Sequence, residues 1–149
     1  MLTSIIVEDE KIAADRLLRL INETGLEIEN KAIIESIEET VNYLQSNDIP
    51  DIIFLDIHVA DSNSFELFKL IEVKSKVIFT TAYSEYGAQA FRQNAVDYLL
   101  KPIKKEELKE AINKVQESTS KGSNIAQQVY NELKDRFLIK FGSKLTVVK

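Results

Sequence analysis

The chain has 149 residues, of which 44% are hydrophobic and 29% are charged, with only 4 Gly and 2 Pro. This composition is typical of a globular protein and excludes low-complexity, collagen-like and wholly disordered chains. The absence of Cys and the single His exclude disulfides, thiolate metal sites, Cys nucleophiles and multi-His metal centres. No apolar run approaches the roughly 20 residues that span a bilayer, and no basic segment follows Met1, so we expect a cytoplasmic protein without membrane contact.

Apolar runs alternate with amphipathic stretches along residues 1–118, which is typical of βαβ units and a parallel sheet. Strands are predicted at Leu2–Val7, Leu26–Ile34, Ile52–Leu55, Lys76–Phe79 and Val96–Leu100. Helices are predicted after these strands, around Ala13–Ile21, Ile37–Leu44, Phe65–Ile71, Ser84–Asn94 and Leu108–Val115.

The charge pattern of the strands predicts their order. The first, third and fourth strands are apolar on consecutive residues, as expected where helices cover both faces. The second carries Glu27, Glu29 and Lys31 between apolar residues, and the fifth contains Asp97, so both suit the edges of a sheet. With right-handed crossovers, this pattern predicts an α/β, flavodoxin-like, doubly wound (βα)5 sheet with strand order 2-1-3-4-5.

Composition changes after residue 118. Residues 1–118 carry 13 Lys and Arg against 22 Asp and Glu, whereas residues 119–149 carry 6 against 2. Residues 119–135 are predicted to be a linker with a short helix. Residues 136–149 place two apolar runs around Gly142-Ser143, a predicted hairpin turn. Because an isolated hairpin is marginal in water, we expect this segment to be the start of a truncated second domain.

Polar side chains gather at the carboxyl ends of the predicted strands, beside the point where the strand order reverses. These side chains are Glu8, Asp9, Asp56, Thr80, Thr81 and Lys101, with Pro102 next in the chain. Taken singly, each has an ordinary structural interpretation, such as helix capping by Asp9 or the strand propensity of Thr. Their coincidence at successive strand ends favours a site.

The chemistry of this set favours phosphoryl transfer. Three carboxylates at close range need a cation, and oxygen-only ligands favour Mg²⁺. Lys101 supplies a positive charge able to neutralise an anionic group, as phosphoryl transfer requires. A carboxylate nucleophile gives an aspartyl phosphate, and Asp56 is the acceptor least crowded by other acids in the sequence.

Four segments resemble the receiver domain of two-component response regulators: Ile5–Glu10, Phe54–Asp56, Phe79–Ala82 and Asp97–Pro102. The resemblance covers residues 1 to about 118, across all five βα units. Thr80–Tyr83 and Asp97–Pro102 are most similar to the LytTR-type (LytR/AlgR) subfamily, in which a receiver precedes a DNA-binding domain. The segment Arg136–Lys140 resembles the start of that LytTR domain, so residues 136–149 are identified as its N-terminal fragment.

The resemblance implies that Asp56 accepts a phosphoryl group from a sensor histidine kinase. Mg²⁺ would be ligated by Asp9 and Asp56, by Glu8 through water, and by the backbone carbonyl of His58, whose side chain we expect in solvent. The domain would be no enzyme beyond assisting its own phosphorylation and dephosphorylation. DNA would be bound only through the full-length effector domain.

The resemblance also implies a switch. Thr81 and Lys101 would contact the phosphoryl group, and the peptide bond between Lys101 and Pro102 would be cis. Tyr98 would change rotamer as Thr81 moves, which links the site to the surface of the fourth predicted helix, fifth strand and fifth helix. A homodimer through this surface, flanked by Tyr83 and Tyr86, is a family expectation.

The segment after Asp56 departs from the family pattern. Val59-Ala60-Asp61 stands where Met-Pro-Gly is usual, and Ser64 stands where Gly is usual. These departures leave open a pseudo-receiver, a protein-interaction module that acts without phosphorylation. A third hypothesis, a phosphohydrolase with an aspartate nucleophile, is disfavoured because Asp56-Ile57-His58 has no second carboxylate two residues on.

Overall fold

A computed structural model describes residues 1–60, 62–82 and 95–121, with the backbone alone for residues 118–121. Its elements, in chain order, are β1 (Leu2–Val7), α1 (Lys11–Glu23), β2 (Ile28–Ile34), α2 (Ile37–Ser46), β3 (Ile52–Asp56), β4 (His58–Val59), β5 (Ser62–Asn63), a 3₁₀ turn (Ser64–Glu66), α3 (Leu67–Leu70), β6 (Lys76–Thr81), β7 (Asp97–Leu100) and α4 (Lys105–Lys121). The predicted helix Ser84–Asn94, residues 122–135 of the predicted linker and the terminal hairpin lie outside the described residues, whereas residues 119–121 of that linker continue α4.

Five parallel strands form the main sheet in the order β2-β1-β3-β6-β7. This order confirms the prediction made from the charge pattern, since β6 and β7 are the fourth and fifth predicted strands. The central strand β3 pairs with β1 on one side and with β6 on the other. The carboxyl ends of these three strands therefore meet at one edge of the sheet.

Two hydrophobic cores cover the two faces of the sheet, and β3 shows how one strand serves both. Ile53 and Leu55 face a core that includes side chains of α2 and α3. Ile52 and Phe54 face a second core with α1 and α4. Because successive side chains of a strand point to opposite faces, all five residues of β3 are buried. This explains the unbroken apolar run before Asp56.

Local signals fix the helix ends. Ser36 caps α2, because its hydroxyl accepts a hydrogen bond from the Glu39 N–H at 3.1 Å and also lies 3.3 Å from the Glu39 carboxylate. The chain leaves α1 through Gly25, whose φ of +76° is in the left-handed region that glycine adopts without steric cost.

The predicted helix Phe65–Ile71 is much shorter in the structure. A 3₁₀ turn over Ser64–Glu66 leads into a single α-helical turn, and Ile71 has extended backbone with φ −146°. The residues just before are occupied by the antiparallel pair β4–β5, which the sequence did not predict. The apolar side chains of this segment still pack onto the core. Their spacing therefore predicted their burial correctly, but the predicted length of the helix was wrong.

Asp97 combines an edge strand with a buried side chain. It lies in the edge strand β7, as predicted, but it is only 2% exposed. Its carboxylate contacts the Lys114 ammonium of α4 at 3.2 Å and accepts the Tyr98 N–H at 2.8 Å. The negative charge of Asp97 is thus compensated by Lys114 of α4. A charged residue correctly predicted an edge strand here, but its side chain is not exposed to solvent.

Candidate functional site

Three carboxylates lie together at the carboxyl edge of the sheet. The β1–β3 register pairs Val7 with Leu55, so the residues that follow, Glu8 and Asp9 on one side and Asp56 on the other, emerge side by side. One oxygen of each carboxylate lies within 4.8 Å of one oxygen of the others. Glu8 and Asp56 are 5% and 6% exposed, whereas Asp9 is exposed. The site therefore has two buried acids and one that opens to solvent.

Lys101 bridges the two buried acids. Its backbone N–H donates to the Thr81 carbonyl at 2.8 Å, which fixes the end of β7 against β6. Its ammonium donates to Glu8 Oε1 at 2.6 Å and to Asp56 Oδ2 at 2.9 Å. The peptide bond between Lys101 and Pro102 is cis. A single cation is therefore in direct contact with two carboxylates.

Burial and the neighbouring charges shift the pKa values of this cluster. Burial raises the pKa of Glu8 to about 7, helped by the charge of Asp56 and opposed by its hydrogen bond to Lys101. Burial disfavours the ammonium of Lys101, but hydrogen bonds to Glu8 and Asp56 and their charges outweigh it, so the pKa of Lys101 is raised. Lys101 therefore stays charged, while the pKa of Glu8 lies close to neutral pH, as expected for two acids that share one cation.

Backbone N–H groups hold each carboxylate in place. Glu8 Oε2 accepts from the Glu10 N–H at 3.2 Å, and Asp56 Oδ1 accepts from the His58 N–H at 3.2 Å. Asp9 Oδ2 accepts from the Ala60 N–H at 2.9 Å. Two of these three donors belong to β4 and the turn that follows it. The segment after Asp56 is thus part of the site.

This segment forms a tight hairpin. His58 pairs with Asn63 and Val59 with Ser62, and Ala60 at the turn has a left-handed φ of +56°. Ser64 leaves the hairpin fully buried, and its hydroxyl donates to the Asp56 backbone carbonyl. Two strands of two residues carry no periodic apolar pattern, so this hairpin could not be predicted from the sequence.

The other predicted site residues are placed as follows. Thr81 ends β6 and is 1% exposed, with its carbonyl bonded to Lys101. Tyr98 in β7 is 3% exposed and packs in the core that includes α2 and α3 side chains. His58 in β4 is partly buried, so the prediction that its side chain lies in solvent is wrong. Tyr83 and Tyr86 lie outside the described residues.

The donor set fits a hard divalent cation. All three side chains offer carboxylate oxygens within a few ångströms, the donor type that Mg²⁺ prefers. One of the three is exposed, so the cluster is open to solvent from that side. Among the described residues, Lys101 is the cation in direct contact with two of these acids, and a bound divalent cation would balance the remaining negative charge.

The chain matches the response regulator receiver domain family over residues 5–113. It belongs to this family. Transcriptional regulatory protein LytR from Staphylococcus aureus is 38% identical to this chain over 138 residues, covering 90% of this chain and 55% of LytR. Sensory transduction protein LytT from Bacillus anthracis is 33% identical over 132 residues, covering 87% of this chain and 53% of LytT. These relatives confirm the predicted likeness to LytR-type regulators.

A solved structure supports the same assignment of the fold. The response regulatory domain of protein mrkE from Klebsiella pneumoniae superposes on this chain with a TM-score of 0.69 at 30% identity, covering 78% of this chain and 96% of that one.

The chain spans about half the length of the curated relatives it matches. Within the part of the chain that the structure describes, no helix is both long and apolar enough to cross a membrane.

Proposed function

We propose that the receiver is the phosphoacceptor domain of a LytTR-type transcriptional response regulator, and that it takes a phosphoryl group from a sensor histidine kinase onto Asp56 in the presence of Mg²⁺. One observation carries this proposal. Asp56 ends the central strand with one oxygen bonded to Lys101 at 2.9 Å, and carboxylate oxygens of Glu8 and Asp9 lie within 4.8 Å. A buried acid among acids and a cation has the surroundings of an activated nucleophile.

The proposed reaction is a displacement at phosphorus. A carboxylate oxygen of Asp56 forms a bond to phosphorus, while the bond from phosphorus to the donor imidazole nitrogen breaks and the nitrogen keeps the electron pair. Lys101 already contacts Asp56, so its ammonium is placed to stabilise the negative charge of the transferring oxygens. The product is an acyl phosphate, and the domain acts as an acceptor.

The metal would be held by Asp9 and Asp56 directly, by Glu8 through water, and by the His58 backbone carbonyl. When bound, Mg²⁺ supplies positive charge that lets the acids and the incoming phosphoryl group share one site. The chain's own contribution is orientation, since N–H groups of Glu10, His58 and Ala60 already fix one oxygen of each acid.

The readout would run through Thr81 and Tyr98. Thr81 would contact the phosphoryl group, and its movement would favour a different rotamer of Tyr98, which is buried in the structure. The surface around the fourth predicted helix, β7 and α4 would then form a homodimer, and the effector domain that residues 136–149 begin would bind DNA. We place the receiver at residues 1–118 and the linker at residues 119–135.

The test is the mass of the intact protein after incubation with acetyl phosphate and Mg²⁺. We expect a gain of one phosphoryl group that is absent with EDTA and absent in Asp56→Ala. No gain, under conditions that label another receiver in the same tube, would favour the pseudo-receiver instead. Sustained release of inorganic phosphate from a phosphomonoester would favour the phosphohydrolase.

A further inference from the structure

Ser64 is a fully buried polar residue next to the proposed acceptor, and the proposed chemistry does not use it. Its hydroxyl donates to the backbone carbonyl of Asp56. Its N–H donates to the backbone carbonyl of Ile57 at 2.7 Å. One residue thus binds two successive carbonyls at the end of the central strand.

These two hydrogen bonds lie where the pairing of β3 with β1 ends. The β1–β3 register ends at Val7 and Leu55, one residue before Asp56. On the other side, the Ile57 N–H still donates to the Thr80 carbonyl at 3.0 Å. Because a buried carbonyl without a donor is costly, the Ser64 hydroxyl completes the hydrogen bonding of Asp56 after the pairing with β1 has ended. The peptide unit between Asp56 and Ile57 is therefore held from both sides.

The same bonds close the β4–β5 hairpin, which carries two of the N–H donors of the site. His58 N–H donates to Asp56 Oδ1, and Ala60 N–H donates to Asp9 Oδ2. Ala60 reaches Asp9 with a left-handed backbone, φ +56°, a conformation that surrounding contacts must impose on a residue other than glycine. Ser64 supplies contacts of this kind at the base of the hairpin.

We propose that Ser64 is a positioning residue for the carboxylate cluster. It locks the β4–β5 hairpin to the end of β3, so that the N–H groups of His58 and Ala60 hold Asp56 and Asp9 ready for the metal and the phosphoryl group. This inference rests on the proposed function of Asp56. Its physical basis is that supporting hydrogen bonds fix the residues that bind a metal or react, and that small displacements of reacting atoms slow a reaction strongly.

The test compares three variants with the unmodified chain. Ser64→Ala and Ser64→Gly both remove the hydroxyl, and Gly leaves the least steric constraint on folding. Ser4→Ala is the matched control, because Ser4 is also fully buried and its hydroxyl donates to Asn30 Oδ1 at 2.9 Å, in the interior of β1 and away from its carboxyl end. For each protein we would measure labelling rate against acetyl phosphate concentration, the Mg²⁺ dissociation constant by calorimetry, and unfolding in urea.

We expect the maximal labelling rate to fall roughly tenfold in both Ser64 variants, with weaker Mg²⁺ binding and little change in the donor concentration at half-maximal rate. Ser4→Ala is expected to lose stability while keeping the wild-type rate and Mg²⁺ affinity. A purely structural role of Ser64 predicts the Ser4→Ala pattern for all three variants, and that result would overturn the proposal.

A second measurement needs no variant. In the unmodified protein, the amides of His58, Ala60 and Ser64 are expected to exchange with solvent slowly and at a common rate, because one hairpin holds them. Independent, rapid exchange of these amides would contradict the lock. If the wild type is labelled and the Ser64 variants are labelled at the same rate, the positioning role of Ser64 is refuted and the proposed function of Asp56 stands. If the wild type is not labelled, the proposed function of Asp56 is refuted, and the positioning role of Ser64 with it.

Discussion

Two aspartates bracket β3, and their surroundings differ sharply. Asp51 precedes the strand and is exposed, and its Oδ2 accepts hydrogen bonds from the Thr3 N–H at 2.8 Å and the Thr3 hydroxyl at 3.3 Å. Asp56 ends the strand and is 6% exposed, with Lys101 at 2.9 Å and two further carboxylates close by. One strand thus carries the same residue type in two different electrostatic environments.

The difference shows how the position of an acid along a parallel strand sets its electrostatic environment. At the amino end, neutral donors satisfy a solvated carboxylate, and the contact ties β1 to the chain before β3. At the carboxyl end, like charges converge because three parallel strands end together, and burial strengthens every interaction among them. That concentration of negative charge favours the binding of cations, as the contacts of Lys101 with Glu8 and Asp56 show.

Lys101→Met gives the largest expected effect on this comparison. Removing the ammonium leaves Glu8 and Asp56 without their shared cation, and we expect labelling by acetyl phosphate to slow roughly a hundredfold. The control is Lys114→Met, which removes a partly buried lysine that pairs with Asp97. It is expected to lower stability and keep the labelling rate. A wild-type rate in Lys101→Met would show that the carboxyl edge needs no such charge.

Glu8→Gln measures how much the buried charge of Glu8 lowers the stability of the fold. The folded-state pKa of Glu8 is raised from 4.5 to about 7, so its contribution to stability is fully present below pH about 4.5 and is lost as the pH rises through about 7. In EDTA at pH 8, we expect the free energy of unfolding of Glu8→Gln to be about 3 kcal/mol higher than that of the wild type, with little difference at pH 4.5.

Urea denaturation at several pH values measures this difference. Glu29→Gln is the matched control, because Glu29 is an exposed acid that also pairs with a lysine, Lys31, at 3.4 Å. It is expected to change stability little at either pH. If Glu8→Gln is less stable than the wild type at pH 8, the buried carboxylate of Glu8 does not destabilise the folded state, which would contradict its raised pKa.

Asp51→Ala tests the amino end. It removes an acceptor of two hydrogen bonds from Thr3, and we expect a loss of about 1 kcal/mol in the free energy of unfolding. Labelling should be unchanged, because the residue lies at the far end of β3 from the site. The measurement is urea unfolding beside the acetyl phosphate assay. Slower labelling would mean that the two edges are coupled.

Ala60→Gly gives the smallest effect. Glycine adopts the left-handed φ of +56° without the steric cost that Ala60 bears, while its greater freedom in the unfolded chain offsets part of the gain. We expect a net stabilisation of about 0.5 kcal/mol. Ala13→Gly, inside α1, is the opposite control and should cost about 1 kcal/mol. Destabilisation by Ala60→Gly in urea unfolding would argue against the left-handed turn.

The sheet was predictable because burial on both faces leaves a clear signal in the sequence. Consecutive apolar residues located β1, β3 and β6, and the charges of Glu29 and Lys31 located the edge strand β2, where both side chains are exposed. Strand ends were less clear, since Thr80 and Thr81 extend β6 beyond its apolar run. The order of the strands followed from the apolar runs of the central strands, the charges of the edge strands and right-handed crossovers.

The site was predictable in membership and unpredictable in detail. Parallel strands that end together place Glu8, Asp9 and Asp56 at one edge, and Lys101 reaches the same edge from β7. The hairpin and the bond from Ser64 depend on backbone geometry over a few residues, which no periodic pattern encodes. The pKa of Glu8 depends on burial and on distances to Asp56 and Lys101, so it needed the three-dimensional arrangement.

The most direct test of the central claim is to locate the modified residue. After labelling with acetyl phosphate and Mg²⁺, borohydride reduces an aspartyl phosphate to homoserine, and tandem mass spectrometry of the peptides identifies its position. We predict homoserine at position 56 alone, and none in a sample kept in EDTA. Homoserine at position 51 or 9, or none in a protein that remains folded, would contradict the account.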